Sequence, residues 1–306
     1  MPQQESGLTA LIAAFGRAYH SQYDFPKIFD DYLAKDLISP EEFTQISGHM
    51  VQGFSFFCKE ADLAAALDIP EQKLQWITQV HLSPTPLARA AYCEGVLLQE
   101  HVLGVNQYVI LGAGLDTFSF RHPELKDSLD IYELDLPAAQ EFKKQRLSHA
   151  ELTIPSNLHL VPADFTGASF YAALLAEGFD PSRKTFFSLL GVSYYLTKAD
   201  KLEMLRQLFA AAPAGSSIVF DYADETLFDT KGIFNRVENM VHMTTTAGEP
   251  MKACYAYEEL EKLLEEAGLH IYEHLSPAAI QERFFANRTD ELSAFEVIHY
   301  VHAVKR

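Results

Sequence analysis

The sequence is poor in basic residues. It has 24 Lys and Arg against 42 Asp and Glu, a formal net charge of −18 at pH 7 with His counted as neutral. Because nucleic-acid binding depends on Lys and Arg side chains that neutralise phosphates, this balance argues against DNA or RNA as a partner. The same sign disfavours anionic membrane surfaces. The densest basic segment, Lys143-Lys144-Gln145-Arg146, lies on a predicted helix among acidic residues and does not reverse the argument.

Cysteine and long apolar runs are also scarce. The three cysteines, Cys58, Cys93 and Cys254, form no C-x-x-C pair, which is typical of a reducing compartment rather than a disulfide framework. No apolar run approaches the ~20 residues that a membrane span needs. The N-terminal segment MPQQESGLTALIAAFGRAY lacks the positively charged start of a signal peptide. We therefore expect a soluble, cytoplasmic protein.

The common metal and hydrolase motifs are absent. The 12 His include no H-E-x-x-H spacing, and His299 and His302 would point to opposite faces of a predicted strand. No G-x-S-x-G sequence occurs, which argues against an α/β hydrolase. We expect no metal site.

The pattern of predicted secondary structure changes at Gly104. Before it, apolar residues recur at helical spacing, and Ser39-Pro40-Glu41-Glu42 has the pattern of a helix start. After it, short β-rich runs at 108–111, 130–134, 158–161, 185–189 and 218–222 alternate with predicted helices at about 137–149, 168–177 and 198–211. This alternation predicts βαβ units and a parallel sheet. Two runs near the C-terminus, 270–274 and 295–304, predict a hairpin with one antiparallel strand.

The predicted fold is therefore α/β, with a Rossmann-like, mostly parallel sheet. We expect an N-terminal helical cap over 1–104 and a sheet domain over 105–306 with a lid insertion at about 224–256, the whole forming one compact unit.

The first predicted strand leads directly into Gly112-Ala113-Gly114, a turn where a backbone can approach a ligand closely. A turn without any ligand explains this motif equally well. The second strand sharpens the interpretation because it ends in Glu133 and Asp135, and Asp135 lies 23 residues after Gly112. An acid at that offset can bind both hydroxyls of a ribose; a solvated strand end is the alternative.

The third strand is followed by Asp164 and Phe165, which can bind an adenine amine and pack on its ring; Asp164 could instead cap a helix. Together the three strand ends predict adenosine binding. A dinucleotide fingerprint requires another small residue after the second glycine, but Thr117 and bulky Phe118 follow, and Asp116 would repel a diphosphate. The turn suits an amino group and a sulfonium, and so favours S-adenosylmethionine over NAD.

These segments resemble the leucine carboxyl methyltransferase family of class I methyltransferases over roughly residues 85–268. The matching pieces are VILGAGLDTFSFR (109–121), YELDLPAAQEFKKQRL (132–147), VPADF (161–165), GVSYYLT (191–197), GSSIVFDY (215–222) and GEPMKACYAYEELEKLLEEAG (248–268). The resemblance implies that Arg89 pairs with the cofactor carboxylate, although a surface arginine is the simpler interpretation. It also implies the cofactor-binding set Gly112, Gly114, Asp135, Asp164 and Phe165.

One position departs from the family. Protein-methylesterifying members carry a Glu where this sequence has Leu190, which resembles the bacterial branch of unassigned substrate and argues against methylation of a protein C-terminal leucine. The predicted function is a methyltransferase that uses S-adenosylmethionine to methylate an oxygen of a small molecule or carboxylate. The alternatives are a non-catalytic binding protein on the same fold and a nucleotide-dependent oxidoreductase.

A carboxylate acceptor needs no base, whereas a hydroxyl does, and we assign no catalytic residue. Four residues at predicted strand ends have two interpretations: they face the expected methyl group, or they only pack with their neighbours. They are Tyr194, Tyr195, Asp221 and Tyr222. Five residues of the predicted lid also have two interpretations of equal weight: they form an apolar wall of the substrate site, or they belong to the core. They are Phe228, Phe234, Met240, His242 and Met243.

Overall fold

A computed structural model describes residues 7–167 and 169–306. The first six residues, where the segment considered as a signal peptide begins, and Ala168, the first residue of the predicted helix 168–177, lie outside the described residues. The chain before Gly104 is helical, with α1 (Leu8–Tyr23), α2 (Pro40–Gln52), α3 (Phe54–Phe57), α4 (Ala61–Ala66), α5 (Pro70–Ile77) and α6 (Pro84–Val102). Ser39 and Glu42 form a reciprocal capping box at the start of α2, because each side chain bonds the other's backbone N–H.

Seven strands follow and form one sheet: β1 (Gln107–Leu111), β2 (Asp130–Asp135), β3 (Leu158–Pro162), β4 (Thr185–Leu189), β5 (Ser217–Ala223), β6 (Leu269–Leu275) and β7 (Ile298–Lys305). Their order is β3-β2-β1-β4-β5-β7-β6. Only β7 runs antiparallel to its neighbours, and β5 and β6 flank it. The predicted α/β fold with one antiparallel C-terminal strand is confirmed.

The remaining helices connect or cover the strands: α7 (Phe118–Arg121), α8 (Pro137–His149), α9 (Phe170–Ala176), α10 (Lys198–Phe209), α11 (Arg236–Thr246), α12 (Tyr257–Glu266) and α13 (Pro277–Phe285). Apolar residues of α9, α10 and α12 pack on one face of the sheet, and those of α6 and α13 pack on the other. The central strands are buried on both faces, which explains why β1 and β4 are continuous apolar runs with little alternation.

The N-terminal helices have a separate apolar cluster built on Phe15, Trp76 and Ile77. Leu115, from the turn after β1, and Leu147, from α8, complete that cluster, so the helices lie against the carboxyl ends of the strands. The division into two domains at residue 104 remains a prediction. In the described part of the chain, no helix is long and apolar enough to cross a membrane.

Candidate functional site

A cavity of about 430 Å³ opens at the carboxyl ends of β1 to β4. It lies where the strand order reverses between β1 and β4, the position at which open α/β sheets bind ligands. The start of α1, the loop after β4 and residues 248–252 complete its wall. All six predicted cofactor-binding residues line it: Arg89, Gly112, Gly114, Asp135, Asp164 and Phe165.

The turn after β1 needs glycine at two positions. Gly112 and Gly114 have φ angles of +76° and +50°, in the region that side chains disfavour. A Cβ on Gly112 would come within 2.5 Å of Val192 Cγ2, and one on Gly114 within 3.1 Å of the Ala10 side chain. The two glycines therefore let neighbouring elements close tightly around the turn and keep its backbone accessible from the cavity.

Asp135 joins this turn to the end of β2. Its two carboxylate oxygens accept hydrogen bonds from Gly114 N at 2.7 Å and from Leu136 N at 2.8 Å. Burial raises the pKa of Asp135 despite these bonds. Since a carboxylate can accept about four hydrogen bonds, it retains acceptor capacity toward the cavity, which suits a pair of ribose hydroxyls.

Asp164 lies beyond the end of β3. Its Oδ1 accepts hydrogen bonds from the backbone N–H and the hydroxyl of Thr166 at 2.9 and 2.6 Å, which lower the Asp164 pKa. It therefore stabilises a local turn and does not cap α9, the alternative considered from the sequence. Its Oδ2 accepts no hydrogen bond from the described residues, and Phe165 lies buried beside it.

Arg89 lies on α6 at the edge of the cavity. Its Nη1 donates to Asp221 Oδ2 at 3.0 Å and to the Tyr194 hydroxyl at 3.1 Å. Asp221 also accepts from Gly191 N at 2.6 Å, so it links Arg89 to the loop after β4. The side chain is only 15% exposed, which excludes a freely solvated surface arginine. Within the described part of the chain, Nε and Nη2 have no acceptor, and they can hold a carboxylate.

The four strand-end residues divide into two groups. Tyr195 lines the cavity, whereas Tyr194 and Asp221 bind Arg89 and do not line it. Tyr222 points elsewhere, and its hydroxyl lies 3.0 Å from His274 Nε2. The interpretation as packing or support therefore holds for three of the four.

The predicted substrate wall within 224–256 is wrong for the residues that suggested it. Phe234 packs on Trp76 at 5.2 Å between ring centroids, and His242 packs on Phe56 at 5.5 Å. Met240 and Met243 pack against the apolar clusters, and Phe228 is exposed. The N-terminal helices offer an apolar surface to Phe234 and Met243, whereas Met240 packs in the apolar cluster on the sheet. The same segment reaches the cavity through other residues: Gly248, Glu249, Pro250 and Lys252.

Sequence reasoning missed the side chains that hold the glycine turn from outside. Arg17 donates to Leu115 O, and Lys143 donates to Asp116 O, each at 2.7 Å. Asp31 accepts from the Thr117 hydroxyl, also at 2.7 Å. The sequence carried a signal for Lys143, because Gln140, Lys143 and Leu147 have the 3-and-4 spacing of one helix face, and all three are buried.

A solvated strand end was the alternative considered for Glu133, and it is wrong, because Glu133 lies fully buried against Lys143. Burial raises the pKa of Glu133 to about 7.

A second buried network pairs the two arginines nearest the turn: Arg17 with Asp31 at 2.8 Å, and Arg121 with Glu94 through two hydrogen bonds. Among the described residues, no group of three metal-ligating side chains lies close enough to hold an ion.

Comparison with known proteins agrees with this geometry. The family model described as "Leucine carboxyl methyltransferase" matches residues 10–209. A Bacillus subtilis protein named "Putative S-adenosyl-L-methionine-dependent methyltransferase YktD" is 60% identical over 306 residues, which is the full length of both chains. A Mycobacterium marinum protein with the same general description is 30% identical over 242 residues, 79% of this chain and 73% of the relative. A "duf574 family protein" from Streptomyces avermitilis shares the fold at a TM-score of 0.51 and 15% identity, covering 84% of this chain and 97% of that one.

Proposed function

Because the chain belongs to the leucine carboxyl methyltransferase family and is an S-adenosylmethionine-dependent methyltransferase, we propose that it methylates an oxygen of a small molecule or carboxylate. We further propose that Arg89, Gly112, Gly114, Asp135, Asp164 and Phe165 bind the cofactor in the cavity at the strand ends.

One observation carries the site assignment. The polar groups that remain available around the cavity match the parts of S-adenosylmethionine in kind: a guanidinium for its carboxylate, a carboxylate for the ribose hydroxyls, and a second carboxylate for the adenine amine. Asp116, which also lines the cavity, suits the ammonium group. A dinucleotide would instead place its diphosphate beside this acid.

The acceptor end follows by elimination. The lining hydroxyl and thiol groups of Thr9, Cys93, Tyr108, Thr117, Thr166 and Ser188 already bond other side chains. With these and the cofactor groups set aside, Tyr195, Glu249 and Lys252 remain, together with the paired network around Arg17 and Arg121. Lys252 N donates to Tyr194 O at 2.6 Å, so the segment that carries Glu249 and Lys252 lies beside the loop that carries Tyr195. This proximity supports an acceptor position between residues 194–196 and 248–252.

The bound cofactor supplies an electrophilic methyl group on sulfur. The chain's own contribution is to bind and orient the acceptor oxygen, because alignment supplies much of the rate of a displacement. Lys252 can orient an anionic acceptor, while Glu249 and Tyr195 can hydrogen-bond a hydroxyl. Both arginines of the neighbouring network already have carboxylate partners, which leaves Lys252 as the cation offered to a carboxylate acceptor.

A non-catalytic role has one observation in its favour. Leu190 lines the cavity at the position where protein-methylating members of the family carry Glu. A protein that binds the cofactor without transferring its methyl group would show cofactor affinity and no labelled product.

Thermal unfolding with S-adenosylmethionine, S-adenosylhomocysteine and NAD tests the proposal. A ligand at 100 times its Kd adds about 2.7 kcal/mol of stability, so both sulfur compounds should raise the Tm and NAD should not. Stabilisation by NAD alone, or by none of the three, would contradict the assignment. Incubation with methyl-labelled cofactor and matched panels of phenols, alcohols and carboxylic acids then tests oxygen as the acceptor.

A further inference from the structure

Lys143 is a buried cation that makes no contact with the cavity. Its side chain is 1% exposed, and its ammonium donates to the backbone oxygen of Asp116 and to the Glu133 carboxylate. Burying an ammonium and a carboxylate costs several kcal/mol each, and mutual attraction often only offsets that cost. Stability alone therefore explains this pair poorly.

The Lys143 contact falls on the turn that faces the cofactor. Asp116 O accepts from Lys143, and Asp116 Oδ1 accepts from Phe118 N at 2.8 Å. Fixing the peptide oxygen therefore also fixes where the Asp116 carboxylate lies on the cavity wall. The neighbouring positions are held by residues of the N-terminal segment, Leu115 by Arg17 and Thr117 by Asp31. Lys143 is the anchor that comes from α8.

The surroundings of Glu133 agree with a counter-charge role. It lies on β2 two residues before Asp135, and its Oε2 receives the Lys143 ammonium. Its Oε1 is buried with no hydrogen-bond partner in the described part of the chain. Unpaired buried oxygens are costly, and a role for Glu133 in directing the Lys143 side chain at Asp116 accounts for this one.

We propose that Lys143 is a positioning residue of the cofactor site, which holds the Asp116 peptide with Glu133 as its counter-charge. This inference rests on the proposed function, because it takes the Gly112–Asp116 turn as the cofactor-binding surface. Lys143 acts through Asp116 and does not touch the cofactor.

Two variants separate positioning from fold stability. Lys143→Met removes the donor to Asp116 and leaves Glu133 without its cation. The double variant Lys143→Met/Glu133→Gln removes the unpaired acid as well, but it does not restore the donor. A residue that only stabilised the fold would lose its phenotype in the double variant, whereas a positioning residue would not.

The experiment measures the Kd of S-adenosylhomocysteine by isothermal titration calorimetry and the unfolding midpoint in urea, on the full chain. We expect both Lys143 variants to bind about tenfold more weakly, which corresponds to about 1.4 kcal/mol, because the Asp116 carboxylate is no longer held in place. We expect the double variant to regain most of the midpoint. Lys144→Met, one residue away and exposed, serves as the matched control and should match the wild type. Arg236→Met breaks a buried ion pair with Glu296 away from the turn, and should lower the midpoint while the Kd stays unchanged.

Recovery of wild-type affinity in the double variant would overturn the proposal, as would unchanged affinity in Lys143→Met. If Lys143→Met does not fold, the double variant carries the test alone. A wild-type chain that fails to bind S-adenosylhomocysteine would contradict the proposed function instead, so the two failures are distinguishable.

Discussion

At the scale of single residues, Asp135 combines bonds to the backbone with acceptor capacity toward the cavity. Its oxygens accept from Gly114 N and Leu136 N, and a ribose bound in the cavity would use the lone pairs that remain. We expect Asp135→Ala to abolish the thermal shift produced by S-adenosylhomocysteine, since hydrogen bonds to charged groups contribute about 1.5–3 kcal/mol. Asp130→Ala, at the opposite end of the same strand, should leave the shift intact. An unchanged shift in Asp135→Ala would remove this residue from the site.

Arg89 gives a test that distinguishes one part of the cofactor from another. Its unpaired nitrogens are assigned to the cofactor carboxylate, which adenosine lacks. Arg89→Met should therefore weaken S-adenosylhomocysteine binding by about 10- to 100-fold and change the Kd of adenosine by less than about twofold. Calorimetric titration of both ligands checks this. Because the substitution also leaves Asp221 buried without its cation, Arg89→Met/Asp221→Asn is the control; equal losses for the two ligands would argue for a general disturbance of the cavity.

The candidate residues predicted from the strand pattern share one property. Gly112, Asp135 and Asp164 lie at or just after strand ends, and parallel strands bring their carboxyl ends to one edge of the sheet. Spacing along the chain therefore predicts proximity for them. Lys143, Arg17 and Asp31 come from helices and loops, whose approach to the turn depends on tertiary packing. The helical spacing of Lys143 indicates that its side chain is buried, but it does not indicate which backbone oxygen the ammonium contacts.

At the scale of elements, α1 and the segment 248–252 meet across the cavity. The Thr9 hydroxyl donates to the Glu249 carboxylate, and Ala10 lies against Gly114. Together they cover the turn, so a bound cofactor would be enclosed beneath this contact.

Loss of that contact should shorten the residence time of the ligand. We expect Thr9→Val, which keeps the shape and removes the donor, to raise the dissociation rate of S-adenosylhomocysteine by about three- to tenfold, the range for one hydrogen bond of 0.5–1.5 kcal/mol. Stopped-flow displacement measures this rate. Thr44→Val, whose hydroxyl bonds only a carbonyl within α2, should leave the rate unchanged. An equal rate in Thr9→Val and the wild type would mean that release does not require this contact to open.

Elements differ in how far the sequence determines them. The strand bounds differ from the predicted ones by three residues or fewer at each end, because buried parallel strands are short apolar runs with clear ends. The lid was predicted as an insertion lined by apolar side chains, but apolar character does not specify a partner. Phe234 and Met243 pack in the N-terminal helical cluster, and polar residues of the same segment line the cavity instead.

At the scale of the whole molecule, buried histidines make stability depend on pH. His81 lies between Trp76 and Phe57, at 5.3 and 5.1 Å between ring centroids, and burial, followed by the nearby Arg236 charge, lowers its pKa to about 3. Burial also lowers the pKa of His274 to about 4, with His299 adding to the effect. Since these groups take up protons less readily in the folded chain, the unfolded state binds more protons below pH ~6.5.

The contribution of these histidines to the free energy of unfolding should therefore fall as the pH drops from about 6.5 toward 4. Glu133 opposes it, because burial raises the pKa of Glu133 and the folded chain then binds that proton more readily than the unfolded chain. For His81 alone, the loss between pH 7.5 and pH 5 is at most about 2 kcal/mol. Urea unfolding across this range measures it, and His81→Leu should flatten the dependence by that amount, while His149→Gln, at an exposed site, should not. His122 has the opposite sign, because its hydrogen bond to Glu94 raises its pKa and stabilises the fold below pH 6.5. An equal pH dependence in His81→Leu and the wild type would contradict this contribution of the buried His81 ring.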